Sequence, residues 1–299
     1  MSLLKKLRFE ITILSLGLIA IHLAFLPDAF RETQEIDQQS AGLFGDFVGG
    51  YFGTIFTLCS AVLLYATLKS QIQSAQRLSF ESRFHELLRL HRENVAEIKV
   101  GDTSGRSFFD WVWKEYRLIY SNRHGDFPPD QHSELQRITI AYYCVFFGTD
   151  GNDEDSLHSY VEEESRHTDW AVIPYIISRS KQHTSNFPYQ PFNGHQSVLG
   201  HYYRHLYQTI KYIDTREFLT ETEKYEFAKT LRAQLSNHEQ ALLLINSLTP
   251  IGRNWLRKGY LKKYKLAKNI PRDFFKPLNE HNLAKLGDGY FEWEEIWTA

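Results

Sequence analysis

The chain has 299 residues, 42% of them hydrophobic, which is enough to bury a sizeable core and excludes an intrinsically disordered protein. Its 34 Lys and Arg nearly cancel 36 Asp and Glu, which excludes nucleic-acid binding driven by overall charge and leaves only local patches. Two cysteines, Cys59 and Cys144, form neither a disulfide framework nor a zinc-ligand spacing, so the soluble part reads as cytoplasmic.

In chain order, the first departure from a soluble composition is FEITILSLGLIAIHLAFLP, residues 9–27, long enough for a bilayer span although Glu10 and His22 interrupt it. A second stretch, residues 47–68, carries no charge and spans by itself. Lys5, Lys6 and Arg8 precede the first span, Lys69 and Arg77 follow the second, and the loop between them is acidic. This asymmetry predicts a two-pass hairpin with both termini in the cytoplasm. A signal peptide and a pair of buried core helices are the competing readings; the lack of a small-x-small cleavage site before Pro27 speaks against the first, and the length of the second run against the other. Gly45, Gly49 and Gly53 recur at spacings of four, a small-xxx-small face that suits packing against the first span or against a second copy of the chain. The expected organisation is a membrane anchor over 1–70 and a helical domain over 71–299.

Beyond the anchor, Phe80, Phe84, Leu87, Leu88, His91, Val95 and Ile98 continue a helical period until Gly101. SFFDWVWKEYRLIY is an amphipathic helix with Phe108, Phe109, Val112, Trp113, Tyr116 and Ile119 on its apolar side. ELQRITIAYYCVFFG reads as a third helix ending at Gly148, with a strand left open by its β-branched and aromatic residues. Residues 149–166 are acidic, and NFPYQPFNG reads as a turn-rich linker. Leu199, Tyr202, Tyr203, Leu206, Tyr207, Ile210 and Ile213 mark another helix. Thr220 with Glu223 forms a capping box that opens a long helix through Leu231, Leu235, Leu242 and Leu243. The predicted fold class is all-α.

Two constellations carry polar chemistry, and three readings fit them. In GHQSVLGHYYRHLY, His201 and His205 lie one helical turn apart with His195 upstream, a spacing that suits two imidazoles on one metal but lacks a metalloprotease carboxylate. In RAQLSNHEQ, Arg232 and His238 have the R-x5-H interval of the helical HEPN ribonucleases, a short pattern that Arg117 and His124 also approach. The third reading is structural: Arg204, Arg232 and Glu239, with Asn237 beside them, form a buried ion-pair network that fixes the register of two helices. No Gly-rich phosphate loop, G-x-S-x-G elbow or H-E-x-x-H run is present, and neither a cofactor nor a metal is expected.

The blocks FESRFHELLRLHRENVAEI, GRSFFDWVWKEY, GHQSVLGHYYRHLYQTIKYID, YEFAKTLRAQLSNHEQALLLINSL and KYKLAKNIP, in that order, resemble the phage abortive-infection proteins of the AbiC-like family over about residues 80–271. Their most specific parts are L-G-H-Y-x-R-H-L-Y and R-A-Q-L-S-N-x-E. The resemblance implies two N-terminal spans before a helical domain and a bacterial inner-membrane effector that arrests or kills an infected cell. It also implies a phage-derived trigger or, for some members, a retron reverse transcriptase and its nucleic acid as partner. It supplies no catalytic residue.

Overall fold

The computed structural model describes residues 31–32, 35–122, 134–149 and 185–271, with isolated positions at 16, 17, 19, 20, 23, 274 and 291. Most of the predicted first span, the acidic stretch after Thr149 and nearly all of the C-terminal tail lie outside the described residues. What is described is mostly helical, as the periodicity predicts. The chain divides into two compact units, Met1–Phe80 and Glu81–Ala299.

The first unit holds a two-residue hairpin, β1 (Arg31–Glu32) against β2 (Glu35–Ile36), and the start of helix α1, which runs from Gln38 to Ala96. Asp37 caps α1, accepting from the amide of Gln39. Across Val48–Phe52, a stretch that includes Gly49 and Gly50, the helix widens into a π turn. The spacing of glycines foretold a plain helix here; the π turn is a departure that no spacing rule encodes. A Cβ placed on Gly45, Gly49 or Gly53 meets no atom within 4 Å, so this glycine face is uncovered by the described residues. Further along, Leu63, Leu64 and Tyr65 are three consecutive side chains each about two-thirds exposed, so the helix is apolar on all sides. Its most apolar 18-residue window has a mean hydropathy of 1.8 and none of it is buried; among the described residues this is the one helix long and apolar enough to cross a membrane.

In the second unit, the end of α1 turns amphipathic: Phe84, Leu88, His91 and Val95 follow at intervals of four, three and four and are all buried. Gly101, in the left-handed region, reverses the chain between β3 (Lys99–Val100) and β4 (Thr103–Ser104), a small hairpin inside what reads in sequence as a plain break. Helices α2 (Ser107–Asn122) and α3 (Glu134–Phe147) then pack against each other; the strand left open for the second of these does not form. Next come α4 (Gln196–Asp214), α5 (Glu221–Arg232) and α6 (Asn237–Leu248), followed by two single turns, α7 (Asn254–Arg257) and α8 (Tyr260–Lys263). Every residue of α6 from Glu239 to Ser247 is buried, and the helix touches both α2 and α3, which makes it the centre of the core.

The predicted long helix from Thr220 through Leu243 is in fact two. Thr220 and Glu223 form the expected capping box for α5, but a second box, Ser236 with Glu239, opens α6 after a turn at Ala233–Leu235. Ser236 Oγ accepts from the Glu239 amide while the Glu239 carboxylate accepts from the Ser236 amide, which makes a new N-terminus more favourable than continuing the old helix.

Candidate functional site

Two features of the second unit organise polar groups: a buried carboxylate that holds a loop, and an open cleft beside it.

The carboxylate is Glu115. It stands on the apolar stripe of α2, three residues after Val112 and four before Ile119, and is fully buried. Oε2 accepts from Tyr189 Oη at 2.8 Å and lies 2.9 Å from His195 Nε2, while Oε1 accepts from the Phe192 amide at 2.7 Å. The stretch that composition marks as a linker is therefore a packed loop, with Phe192 buried and held at positive φ. Burial first, then the neighbouring Glu115 charge, pushes the Tyr189 phenol far above its ordinary range, so it stays a donor. The loop also finishes α3: the His195 amide donates to the carbonyls of Val145 and Phe146, two acceptors that a helix end leaves without partners. Gly194, at φ 85°, makes this approach possible, because a Cβ there would come within 2.4 Å of the Phe147 carbonyl.

The three histidines of GHQSVLGHYYRHLY do not converge. His195 is buried on Glu115, wedged edge-on between Phe108 and Tyr189. His201 is exposed. His205 is half-buried and stacks on His91 of α1 with ring centroids 5.9 Å apart. Neither His91 Nε2 nor either ring nitrogen of His205 has a hydrogen-bond partner among the described residues. Burial, aided by His205 and Arg106, holds His91 down at about 4, and burial lowers His205 as well. Among the described residues no group of three or more His, Cys, Asp or Glu is placed to hold a metal ion.

Nor do Arg204, Arg232 and Glu239 pair with one another. Arg204 is exposed and its Nε donates to the Gly200 carbonyl on its own helix. Arg232 is buried, with one guanidinium nitrogen donating to the main-chain carbonyls of Tyr264 and Lys265, so it ties the end of α5 to the chain after α8. Glu239, besides capping α6, accepts from Tyr202 Oη at 3.1 Å and lies 3.7 Å from Arg106 Nε. The arginine beside Glu239 is thus Arg106, from the start of α2. Asn237 is the first residue of α6 and half-buried. His238, next to it, places Nε2 3.2 Å from Asp110 Oδ1 and packs edge-on against Phe274. The two residues of the R-x5-H interval therefore have separate structural partners on opposite sides of a turn.

The cleft, of about 340 Å³, opens where α4 passes the end of α3 and the turn after α6. α4 contributes Gln196, Arg204, Tyr207 and Gln208, and the turn contributes Asn254 and Trp255. Gly252 lets the turn close on α6, since a Cβ there would sit 2.1 Å from the Asn246 carbonyl. Tyr207 and Trp255 meet edge to face at 5.1 Å. Among the described residues lining the cleft, Arg204 alone carries a charge; amides and aromatic rings make up most of the rest. Such a wall can hold a planar, polar ligand with a single anionic group. The sequence marks Arg204 only as a member of an ion-pair network and not as a cleft wall, and the turn residues Asn254 and Trp255 carry no motif in sequence.

No curated protein and no solved structure matches the chain. Residues 194–275, which supply the cleft wall apart from Phe146 and Phe147, match the model of a family described as "Putative phage abortive infection protein", the family its sequence blocks resemble, and that match supports a role in phage abortive infection.

Proposed function

We propose that this chain is a membrane-anchored abortive-infection effector whose helical second unit receives a signal of infection and whose anchor alters the bacterial inner membrane. The observation that carries the reading is the all-round apolar stretch of α1, none of it covered by the chain's own described residues. Residues 47–68 include ten Leu, Ile, Val and Phe and no charge, which is worth roughly −3 to −6 kcal/mol for insertion against about +3 kcal/mol for one central charge. In this reading residues 9–27 form the other half of a hairpin, the basic flanks keep both termini in the cytoplasm, and Gly45, Gly49 and Gly53 pack against a second copy. The trigger is a phage product or a retron-type partner.

The test is membrane potential, followed with a voltage-sensitive dye in cells induced for the protein. Depolarisation that accompanies growth arrest, and is weakened when Gly49 and Gly53 are replaced by Leu, is the expected result. Arrest with potential and dye exclusion intact removes the membrane mechanism and leaves a binding or catalytic one.

A further inference from the structure

The near-neutral chain conceals a sharp local imbalance. Between Ile251 and Arg272 there are eight basic residues, Arg253, Arg257, Lys258, Lys262, Lys263, Lys265, Lys268 and Arg272, and no acidic one. Not all of these charges are free to act on a ligand. Lys263 is held by Asp214 at 2.6 Å and by Glu221 at 3.0 Å. By contrast Arg253, Arg257, Lys258 and Lys262 are exposed, and none has an acidic partner among the described residues.

These free charges adjoin the cleft. Arg253 lies between the wall residues Gly252 and Asn254, and Arg257 follows Asn254 by three, on the same side of the short α7 turn. The cleft interior then supplies what a strip of charge lacks: Tyr207 as aromatic surface, backed by the buried Trp255, the amides of Gln196, Gln208 and Asn254 as paired donors and acceptors, and the Arg204 guanidinium. Its volume of about 340 Å³ suits one base with its sugar. A lipid headgroup would use the charges but leave the amides and rings without a match, and a duplex would keep its bases stacked out of reach.

We propose that the cleft and its basic border bind single-stranded nucleic acid, with one unstacked base against Tyr207 and the amides, Arg204 on the adjoining phosphate, and Arg253, Arg257 and Lys258 along the following backbone. This deepens the proposed function by naming the chemistry of the signal, and it is measured apart from any membrane effect.

The experiment is fluorescence anisotropy of labelled 12-nucleotide single strands, DNA and RNA, with the full-length chain in neutral detergent. Arg204→Ala should weaken binding about tenfold or more, as expected for loss of a charge-assisted phosphate contact. The triple change Arg253→Ala, Arg257→Ala and Lys258→Ala should flatten the slope of log affinity on log salt by about 2, at ~0.7 per phosphate contact on a single strand. Lys263→Ala, whose charge is already neutralised by Asp214 and Glu221, should leave that slope unchanged. All the replaced side chains are exposed, and an unaltered helical circular-dichroism spectrum confirms each fold. The proposal is overturned if the strand does not bind, if a duplex or a mononucleotide binds equally well, if Arg204→Ala changes nothing, or if only vesicles rich in phosphatidylglycerol are bound. A negative result here leaves the depolarisation experiment to stand or fall on its own.

Discussion

His195 Nε2 and Glu115 Oε2 lie 2.9 Å apart in the core although eighty positions separate them in the chain. Glu115 also holds Tyr189 and the Phe192 amide, so removing its carboxylate strands three buried donors at once. Glu115→Ala is expected to destabilise the second unit by about 3–5 kcal/mol in urea unfolding, and Glu115→Gln, which keeps the shape and one acceptor, by clearly less. Equal losses for the two would mean that packing, not acceptance of hydrogen bonds, is what Glu115 supplies.

Ser236 restarts the helix that sequence periodicity would have continued. Ser236→Ala should lower stability by about 1 kcal/mol through loss of the cap. The neighbouring Asn237→Ala, half-buried and without a capping role, should change it by less than about 0.5 kcal/mol. Thermal unfolding of the two variants side by side checks the pair.

His91 makes stability depend on pH. Burial, then His205 and Arg106, holds it at about 4 in the folded chain against 6.5 in an unfolded one. The folded state therefore binds the proton more weakly, and stability is undiminished above pH 6.5. As pH falls below that value the unfolded chain takes up the proton first, so stability drops until about pH 4, where both states are protonated. The expected loss between pH 7 and pH 5 is about 2 kcal/mol, and His205, lowered in the same direction, adds to it. His91→Leu should remove most of this acid sensitivity; a urea midpoint that still falls as steeply would assign it to other groups.

Arg232 and His238 test the ribonuclease reading. Among the described residues the Arg232 guanidinium serves main-chain carbonyls and His238 pairs with Asp110, so the two side chains have separate structural partners. His238→Ala is expected to leave growth arrest at full strength, while Arg232→Ala lowers protein abundance along with arrest. Full-length, stable protein that no longer arrests growth after His238→Ala would restore a catalytic role.

Much of the helical body is legible in the sequence because apolar residues at intervals of three and four need only local geometry to be read. Phe108 to Ile119 and Leu199 to Ile213 fall on buried faces as their spacing predicts, except that Tyr207 is half-buried at the cleft. The candidate site was harder. Glu115 did leave a signal, a carboxylate on an otherwise apolar stripe, but its partners Tyr189 and His195 come from far along the chain, and no periodicity links them. The Ser236-x-x-Glu239 box was equally visible, yet Leu231, Leu235 and Leu242 keep a helical spacing through the turn and mask it. The NFPYQPFNG stretch misleads through composition: proline and glycine mark it as a linker, whereas the Phe192 amide on Glu115 makes it part of the core. The cleft depends on Gly252 closing a turn onto Asn246, a close approach that only the fold reveals.

The proposed function depends most on residues 47–68 of α1 lying in lipid. Membranes from cells expressing the untagged full-length chain, washed with carbonate at high pH and then extracted with neutral detergent, test this directly. Retention through the carbonate wash and release only by detergent is the predicted result, with Leu63→Arg and Leu64→Arg together shifting the chain toward the wash. Recovery of the unaltered chain in the first aqueous supernatant would contradict it.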